Sequence, residues 1–152
     1  MRPEDKLKEL NLTIPSSPKP LGSYKPLSEV GNLIFVSGTL PIDSQGKMIK
    51  GRLGKDLSIE EGKEATKLCA LNSLSVLKSF LNELSRIQSI VRAVGHILST
   101  PDFDEHAQVM NGASDLLAQV FGEKGRHARL ALGANSLPKG ASVELELIIR
   151  FE

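Results

Sequence analysis

One arginine and two glutamates near the end of this chain have its most distinctive chemistry. Arg129 precedes a run of small and apolar residues, and Glu144 and Glu146 alternate with apolar residues in the segment 143–150. Because a Leu-Pro-Lys-Gly turn at 137–140 separates the two segments, we expect them to form one hairpin-like unit. A fixed guanidinium can bind a carboxylate in bidentate fashion, and a nearby glutamate can hold a water molecule or relay a proton. The end of the chain therefore indicates chemistry on a small acid.

Structural roles are the alternative for the same residues. An arginine at the start of a strand usually has a defined partner, which here could be Glu144 or Glu146 on the neighbouring strand. A glutamate that alternates with valine and leucine in a strand more often simply faces solvent. The residues by themselves leave both interpretations of Arg129 open, and the two are compatible.

Two further places could contribute to a site. Tyr24 is the only tyrosine and lies in a segment rich in glycine, serine and proline, where a packing or hydrogen-bonding role is the simpler interpretation. Ser37 and Gly38 end an apolar run, where backbone amides and a hydroxyl could bind an oxyanion, although the glycine could equally make a turn. Both signals are weak by themselves.

Metal and cofactor chemistry has no support in the sequence. The three histidines, His96, His106 and His127, lack the spacing of metal ligands, and Cys69 falls on the apolar stripe of a predicted helix. There is no Gly-x-Ser-x-Gly elbow, phosphate-binding loop or dinucleotide fingerprint. We therefore predict no bound metal and no organic cofactor.

Composition indicates one globular domain with a small-molecule ligand. The chain has 152 residues, with 19 basic against 18 acidic side chains and only 4% aromatic residues. This balance offers neither a basic field nor stacking platforms, so nucleic acid is not an expected partner. No apolar run approaches the roughly 20 residues that span a bilayer, and the charged N-terminus lacks a secretory signal. A cytoplasmic location is the expectation.

The pattern of apolar residues predicts an α+β domain with helices on one face of a sheet. Residues 1–19 are predicted to be an N-terminal arm, which a proline-rich stretch separates from the domain at 20–152. The predicted elements are a short helix at 4–11, strands at 23–29 and 33–37, a helix from a Ser58–Glu61 capping box to about Leu84, a strand at 87–98, a helix at 105–121 that Asp102 or Asp104 could cap, and strands at 128–134 and 141–151.

The last strand has two different faces. Val143, Leu145, Leu147 and the following odd-numbered residues point one way, and we expect them to lie under the helices. The other face mixes glutamates with Ile148, so it is expected to be partly wet and to meet copies of itself around a symmetry axis. An oligomer with sites where its subunits meet is therefore a reasonable hypothesis.

Several short segments together resemble the Rid family, also called the YjgF/YER057c/UK114 family. The resemblance extends over residues 20–152, and its most specific part is the order of the tail: an arginine, then Leu-Pro, then alternating glutamates. The matching segments are Gly22-Ser-Tyr24, Gly31-Asn-Leu-Ile-Phe-Val-Ser-Gly38, Asn111, Ala128-Arg129, Leu137-Pro138 and Val143-Glu-Leu-Glu146.

The resemblance implies a chorismate-mutase-like, or YjgF-like, α+β sandwich assembled as a homotrimer around a central barrel, with clefts between subunits. It also implies hydrolysis of enamines and imines, such as 2-aminoacrylate and 2-imino acids, to 2-oxo acids and ammonia without metal or cofactor. By position, Arg129 would bind the substrate carboxylate and Glu144 would orient water or relay a proton. The residues implied to line the cleft are Tyr24, Ser37, Gly38 and Asn111.

The chain departs from the common pattern of this family in three places. Ala131 stands where many members have cysteine, the segment 104–125 is longer, and there is an N-terminal arm. It therefore resembles a longer, divergent branch, in which the longer segment could reshape the pocket. Two alternatives to a deaminase stay open: a noncatalytic protein that binds a small carboxylate metabolite, and an endoribonuclease or translation inhibitor, a label that some members of the family have.

Overall fold

The computed structural model describes residues 1–17, 19 and 22–152, and the predicted elements occur in the predicted order. Pro18 of the predicted arm, and Pro20 and Leu21 of the predicted domain, lie outside the described part. The elements are α1 (Pro3–Glu9), β1 (Leu27–Val30), β2 (Leu33–Thr39), α2 (Ile59–Leu81), β3 (Ile87–Leu98), α3 (His106–Phe121), β4 (Ala128–Ala134) and β5 (Val143–Phe151).

The five strands form one mixed sheet in the order β1-β2-β5-β3-β4. Strands β3 and β4 are parallel, whereas β1 with β2, β2 with β5, and β3 with β5 pair in antiparallel fashion. The alternation predicted for β5 is confirmed, because Val143, Leu145, Leu147 and Ile149 are all buried. The fold is thus the expected α+β sandwich, with α2 and α3 on one face.

The predicted hairpin between β4 and β5 is wrong, because β3 lies between these two strands. The connection does not fold back on itself: the Ser142 amide donates to the carbonyl of Ile49, and Lys50 forms a bridge with Ala141. This pairing with the loop at 49–51 directs the chain past the end of β3. The 137–140 segment contains a 3-10 turn at Pro138–Gly140 instead of a hairpin turn.

Local sequence signals set the helix ends only in part. The capping box of α2 is confirmed, since Ser58 accepts from the Glu61 amide and the Glu61 side chain accepts from the Ser58 amide. The helix ends at Leu81, earlier than predicted, because Asn82 takes a φ of 67° there. The predicted caps of α3 are wrong: its N-cap is Glu105, which makes no capping bond with its side chain.

A tight contact between α2 and α3 holds α3 against the rest of the domain. At Gly112 an added Cβ would collide with the backbone carbonyl of Lys63, so the two helices approach at this glycine. The Thr66 hydroxyl donates to the Val109 carbonyl at 2.8 Å and accepts from the Ala113 amide at 3.1 Å. These contacts fix α3 so that Asn111 and Ser114 lie against Arg129 of the edge strand β4.

The N-terminal arm is packed against the domain. Leu7 of α1 is 2% exposed and belongs to the main hydrophobic core, while Leu10 and Leu12 pack against its edge. Glu4 accepts from the Leu84 amide at 2.8 Å, which ties α1 to the turn before β3. Among the described residues, no helix combines the length and the apolar character that crossing a membrane would require.

Candidate functional site

A cavity of about 420 Å³ lies beside β2 and β5, around the side chain of Glu144. Strand β5 points this glutamate away from the helices, towards the open face of the sheet. Three of the residues predicted to share a cleft with Glu144 come together here. The cavity is lined by Gly22, Tyr24, Ser37, Gly38, Leu40, Pro138 and Glu144.

Gly38 allows the glutamate to reach this position. The pairing of β2 with β5 shifts between Val36 and Thr39, so Ser37 and Gly38 form an irregularity in the strand. An added Cβ at Gly38 would collide with the carboxylate oxygen Oε1 of Glu144. Any larger residue would therefore displace the carboxyl group from the cavity.

Ser37 connects the segment before β1 to the cavity wall. Its hydroxyl donates to the carbonyl of Lys25 at 2.6 Å, and its amide donates to the carbonyl of Pro26 at 2.9 Å. The hydroxyl proton is therefore engaged, and in this arrangement Ser37 offers a ligand an acceptor oxygen. Both bonds hold the segment that contains Tyr24, which is half exposed.

The environment of Glu144 favours its protonated form. Burial is the largest cause and raises the pKa of Glu144 above that of an ordinary glutamate. His96, directly opposite on β3, lowers this pKa, whereas the negative charge of Glu146 raises it further. A half-buried carboxyl with a raised pKa keeps its proton to a higher pH than a surface glutamate does.

Arg129 lies on the edge strand β4 and is held by α3. Its Nη1 atom donates to Oδ1 of Asn111 at 2.8 Å and to Oγ of Ser114 at 3.1 Å, and Nη2 donates to the carbonyl of Ala107 at 3.2 Å. The proposed ion pair with Glu144 or Glu146 does not form. Arg129 and Asn111, which the resemblance assigns to one cleft, are therefore in direct contact.

Part of the Arg129 guanidinium stays available. An arginine has five N–H donors, and the three bonds to α3 leave Nε–H and one N–H of Nη2 without an acceptor in the described parts of the chain. The side chain is exposed to solvent. Nε and Nη2 together can bind both oxygens of a carboxylate, so this edge of the guanidinium can receive a small acid.

The two groups of predicted residues do not meet within one chain. Arg129 pairs in register with the buried Ala93, so its side chain is on the helix side of the sheet, whereas Glu144 is on the open side. Strands β4 and β5 are separated by β3, which puts them roughly 10 Å apart across the sheet. One chain thus has an arginine half at α3 and β4, which contains Arg129, and a carboxyl half at β2 and β5, which contains Glu144.

Two residues at Arg129 were not predicted from the sequence. Ser114 contacts Arg129 directly, and His127 is linked to it through a hydrogen bond to Ser114. The Ser114 Oγ lies 2.9 Å from Nε2 of His127, and Nδ1 of His127 lies 2.7 Å from the carbonyl of Gly125. A signal existed, because Asn111 and Ser114 are three residues apart and so share one helix face. Leu40 and Pro138, which line the cavity of Glu144, were also missed as site residues.

Comparison with known families assigns almost the whole chain to one family. A sequence profile described as "YjgF/chorismate mutase-like, putative endoribonuclease" matches residues 4–149. Protein TCP17 of Trypanosoma cruzi is 38% identical over 144 residues, which are 94% of this chain and 90% of the relative. The match to the family includes α1, in the segment that the sequence predicted to be an arm.

Two solved structures have closely similar folds. The protein Atu1372 of Agrobacterium tumefaciens, described as having unknown function, is 43% identical, with a TM-score of 0.91 over 99% of this chain and 94% of that one. A "putative endoribonuclease" of Shewanella oneidensis is 36% identical, with a TM-score of 0.96 over 99% of this chain and 100% of that one. By profile, sequence and fold, this chain belongs to the Rid, or YjgF/chorismate mutase-like, family.

Proposed function

We propose that this protein hydrolyses reactive enamines and imines, such as 2-aminoacrylate and 2-imino acids, to 2-oxo acids and ammonia. The observation that supports this most directly is the Arg129 guanidinium, which α3 holds by three hydrogen bonds while two N–H donors stay available. A 2-imino acid has a carboxylate next to its reactive carbon. An arginine fixed in this way would hold that carboxylate and so orient the carbon beside it.

Glu144 would handle the protons of the reaction. In 2-aminoacrylate, the methylene carbon takes a proton and the amino nitrogen gives one up, which yields 2-iminopropanoate. Water then adds to the C=N carbon, a proton moves from that water to the nitrogen, and the nitrogen leaves as ammonia while the remaining hydroxyl loses its proton and forms the C=O bond. These steps need a group that can both give and accept a proton. The raised pKa of Glu144 supports that role, because the carboxyl keeps its proton to a higher pH than an ordinary glutamate.

The proposed reaction needs few catalytic groups, which agrees with the residues present. An imine is already electrophilic, so holding its carboxylate and presenting a water molecule supplies much of the acceleration through positioning. No covalent nucleophile is required. The lining of Tyr24, Gly38 and Pro138 would shape the space beside Glu144 for a substrate of a few carbon atoms.

The site is proposed to form between subunits of a homotrimer. One chain keeps Arg129 and Glu144 on opposite faces of the sheet, so a single subunit cannot place both groups on one small substrate. A cyclic trimer would bring the β4 edge of one subunit to the β2–β5 cavity of its neighbour and repeat this contact three times. The proposal therefore requires assembly for activity.

Competition with a trapping amine tests the activity. An amino acid oxidase generates a 2-imino acid in the presence of semicarbazide, and the chain is expected to reduce semicarbazone formation by converting the imine first. The Arg129→Ala variant should lose about 100-fold or more in kcat/KM, equivalent to roughly 2.7 kcal/mol of transition-state stabilisation. Arg126→Ala is the matched control, because Arg126 pairs on the surface with Glu123 at 2.9 Å.

Two outcomes would favour the other functions. If the wild-type chain binds pyruvate but leaves semicarbazone formation unchanged, and Glu144→Gln binds pyruvate equally well, the protein is a noncatalytic binder. If highly purified chain cleaves RNA and Arg129→Ala abolishes that cleavage, it is the endoribonuclease that some relatives are named for. In the described residues each histidine contacts a serine or a glutamate, and none pairs with a lysine or with another histidine.

A further inference from the structure

A continuous line of hydrogen bonds runs from Arg129 to the backbone before β4. Nη1 of Arg129 is 3.1 Å from Oγ of Ser114, which is 2.9 Å from Nε2 of His127, and Nδ1 of His127 is 2.7 Å from the Gly125 carbonyl. Ser114 and His127 are half-buried, between α3 and the start of β4. The three side chains are thus linked to one fixed backbone atom.

The chemistry of the two ends sets the direction of every bond in this line. A carbonyl oxygen only accepts, so Nδ1 of His127 must have the proton that is donated to Gly125. In the neutral imidazole, Nε2 then lacks a proton and accepts from the hydroxyl of Ser114. That hydroxyl points its proton away from Arg129, which leaves its oxygen lone pairs free to accept from Nη1.

The backbone at the end of the line is held firmly. Gly125 is buried, and an added Cβ there would collide with the carbonyl of Leu117 on α3. This close approach of two backbones fixes the Gly125 carbonyl relative to the helix that also presents Asn111 and Ser114. The anchor and the arginine ligands therefore belong to one rigid unit.

We propose that Ser114 and His127 are positioning residues that orient the Arg129 guanidinium for substrate. Asn111 and the Ala107 carbonyl hold one bond each, and Ser114 supplies the third, which fixes rotation about the end of a long and exposed side chain. In this orientation Nε–H and the remaining N–H of Nη2 have no acceptor in the described parts of the chain. This inference rests on the proposed role of Arg129 in binding a carboxylate.

Three variants and one control test the proposal in the full-length chain. Ser114→Ala and His127→Ala each break the line, and His127→Gln places an amide oxygen where Nε2 of the imidazole accepts from Ser114. Ser85→Ala is the matched control, because Ser85 lies on an exposed turn and its hydroxyl donates to the Glu83 carboxylate, far from Arg129 in the sequence. Binding of pyruvate by calorimetry, the kcat and KM for imine hydrolysis, and side-chain NMR of His127 and Arg129 are the measurements.

Loss of one hydrogen bond to a charged group should weaken pyruvate binding and raise KM about 10-fold in Ser114→Ala and His127→Ala. The kcat should change less than about threefold, since the carboxylate is bound alike in ground and transition states. His127→Gln should recover most of the affinity, and Ser85→Ala should match the wild type. The NMR spectrum should show a proton on Nδ1 of His127 and none on Nε2.

Wild-type pyruvate affinity in both alanine variants, or a proton on Nε2 of neutral His127, would overturn the proposal. If His127→Ala fails to fold, as judged by circular dichroism, Ser114→Ala decides the question. Failure of the proposed function itself would look different, because the wild type would then neither bind pyruvate nor hydrolyse imines. In that case the Nε–H signal of Arg129, sharp in the wild type and broadened in Ser114→Ala, still tests the positioning.

Discussion

Glu144 acquires its character from its surroundings. In the sequence it is one of two glutamates in an alternating strand, but in the fold its carboxyl lies over Gly38 in a cavity, where burial raises its pKa. Glu146 lies two residues further on, with its Oε2 atom 3.9 Å from Nε2 of His96, and it is more exposed than Glu144. Two residues of the same type on the same face of one strand thus have different environments.

The raised pKa of Glu144 predicts a pH-dependent gain of stability in Glu144→Gln. Since the pKa of Glu144 is higher in the folded than in the unfolded state, folding favours the protonated carboxyl. The contribution of Glu144 to stability is therefore complete below the unfolded pKa and is lost as the pH rises through the folded pKa. Thermal unfolding at neutral pH should therefore show Glu144→Gln higher in Tm by roughly 1–3 °C, a modest gain because the carboxyl is partly screened by solvent.

That difference in Tm should shrink towards zero below about pH 4, where both side chains are neutral. Glu29→Gln is the control, because Glu29 is exposed on β1 and should show no such dependence. A Tm for Glu144→Gln below that of the wild type at neutral pH would contradict the assigned environment.

At the scale of elements, the contact between α2 and α3 determines where the Arg129 ligands lie. Gly112 is a poor helix residue by propensity, yet its missing side chain lets α3 rest on the Lys63 carbonyl. Asn111 and Ser114 flank this glycine and face β4. A residue that weakens the helix in isolation therefore secures the position of the arginine half.

Gly112→Ala should destabilise the protein in spite of a better helix propensity. Alanine gains about 1 kcal/mol in a helix interior, but a Cβ that overlaps a backbone carbonyl cannot be relieved by rotating a side chain and should cost about 3 kcal/mol. We expect a net loss of about 2 kcal/mol and a Tm lower by about 5 °C in calorimetry. Gln119→Ala, on the exposed side of the same helix, should change the Tm by less than about 1 °C. An increase in Tm for Gly112→Ala would show that the helices can separate without cost.

At the scale of the whole molecule, the open face of the sheet exposes large apolar side chains, which is unusual for a protein that stays monomeric. Phe35 is 43% exposed and Leu130 is 46% exposed, and both lie on the side of the sheet opposite the helices. Phe35 pairs in register with Ile148, which extends the apolar surface onto β5. Burying this face against other copies would remove apolar area from water and bring the two half-sites together. A mass in solution of about three times the 16.4 kDa chain is therefore expected from light scattering.

Mixing two inactive variants tests the shared site. Arg129→Ala lacks an intact arginine half and Glu144→Gln lacks an intact carboxyl half, so under the proposed mechanism each variant by itself should be inactive. If the two are co-expressed in equal amounts and assemble at random, about one cleft in four receives both intact halves, and about a quarter of the wild-type activity should return. Two variants that lack the same half, Arg129→Ala and Asn111→Ala, should recover nothing when mixed. No recovery in the first mixture, with mixed trimers verified by mass spectrometry, would place the site within one subunit.

The sequence by itself determined the elements and their buried faces. A capping box, a stripe of apolar residues and the alternation of β5 are local patterns, and the structure confirms them because each depends on residues only a few positions apart. It also identified the family and the set of candidate residues, including the neighbours Arg129 and Asn111.

Only the tertiary structure decided which of those residues can meet. The order of strands depends on pairing between distant segments, and here β3 separates β4 from β5, so the expected hairpin does not exist. The approach of Glu144 to Gly38, 106 positions away in the sequence, and the anchoring of Arg129 through Ser114 and His127 follow from this packing. Such contacts leave no periodic pattern in the chain, because their geometry is set by how whole elements dock.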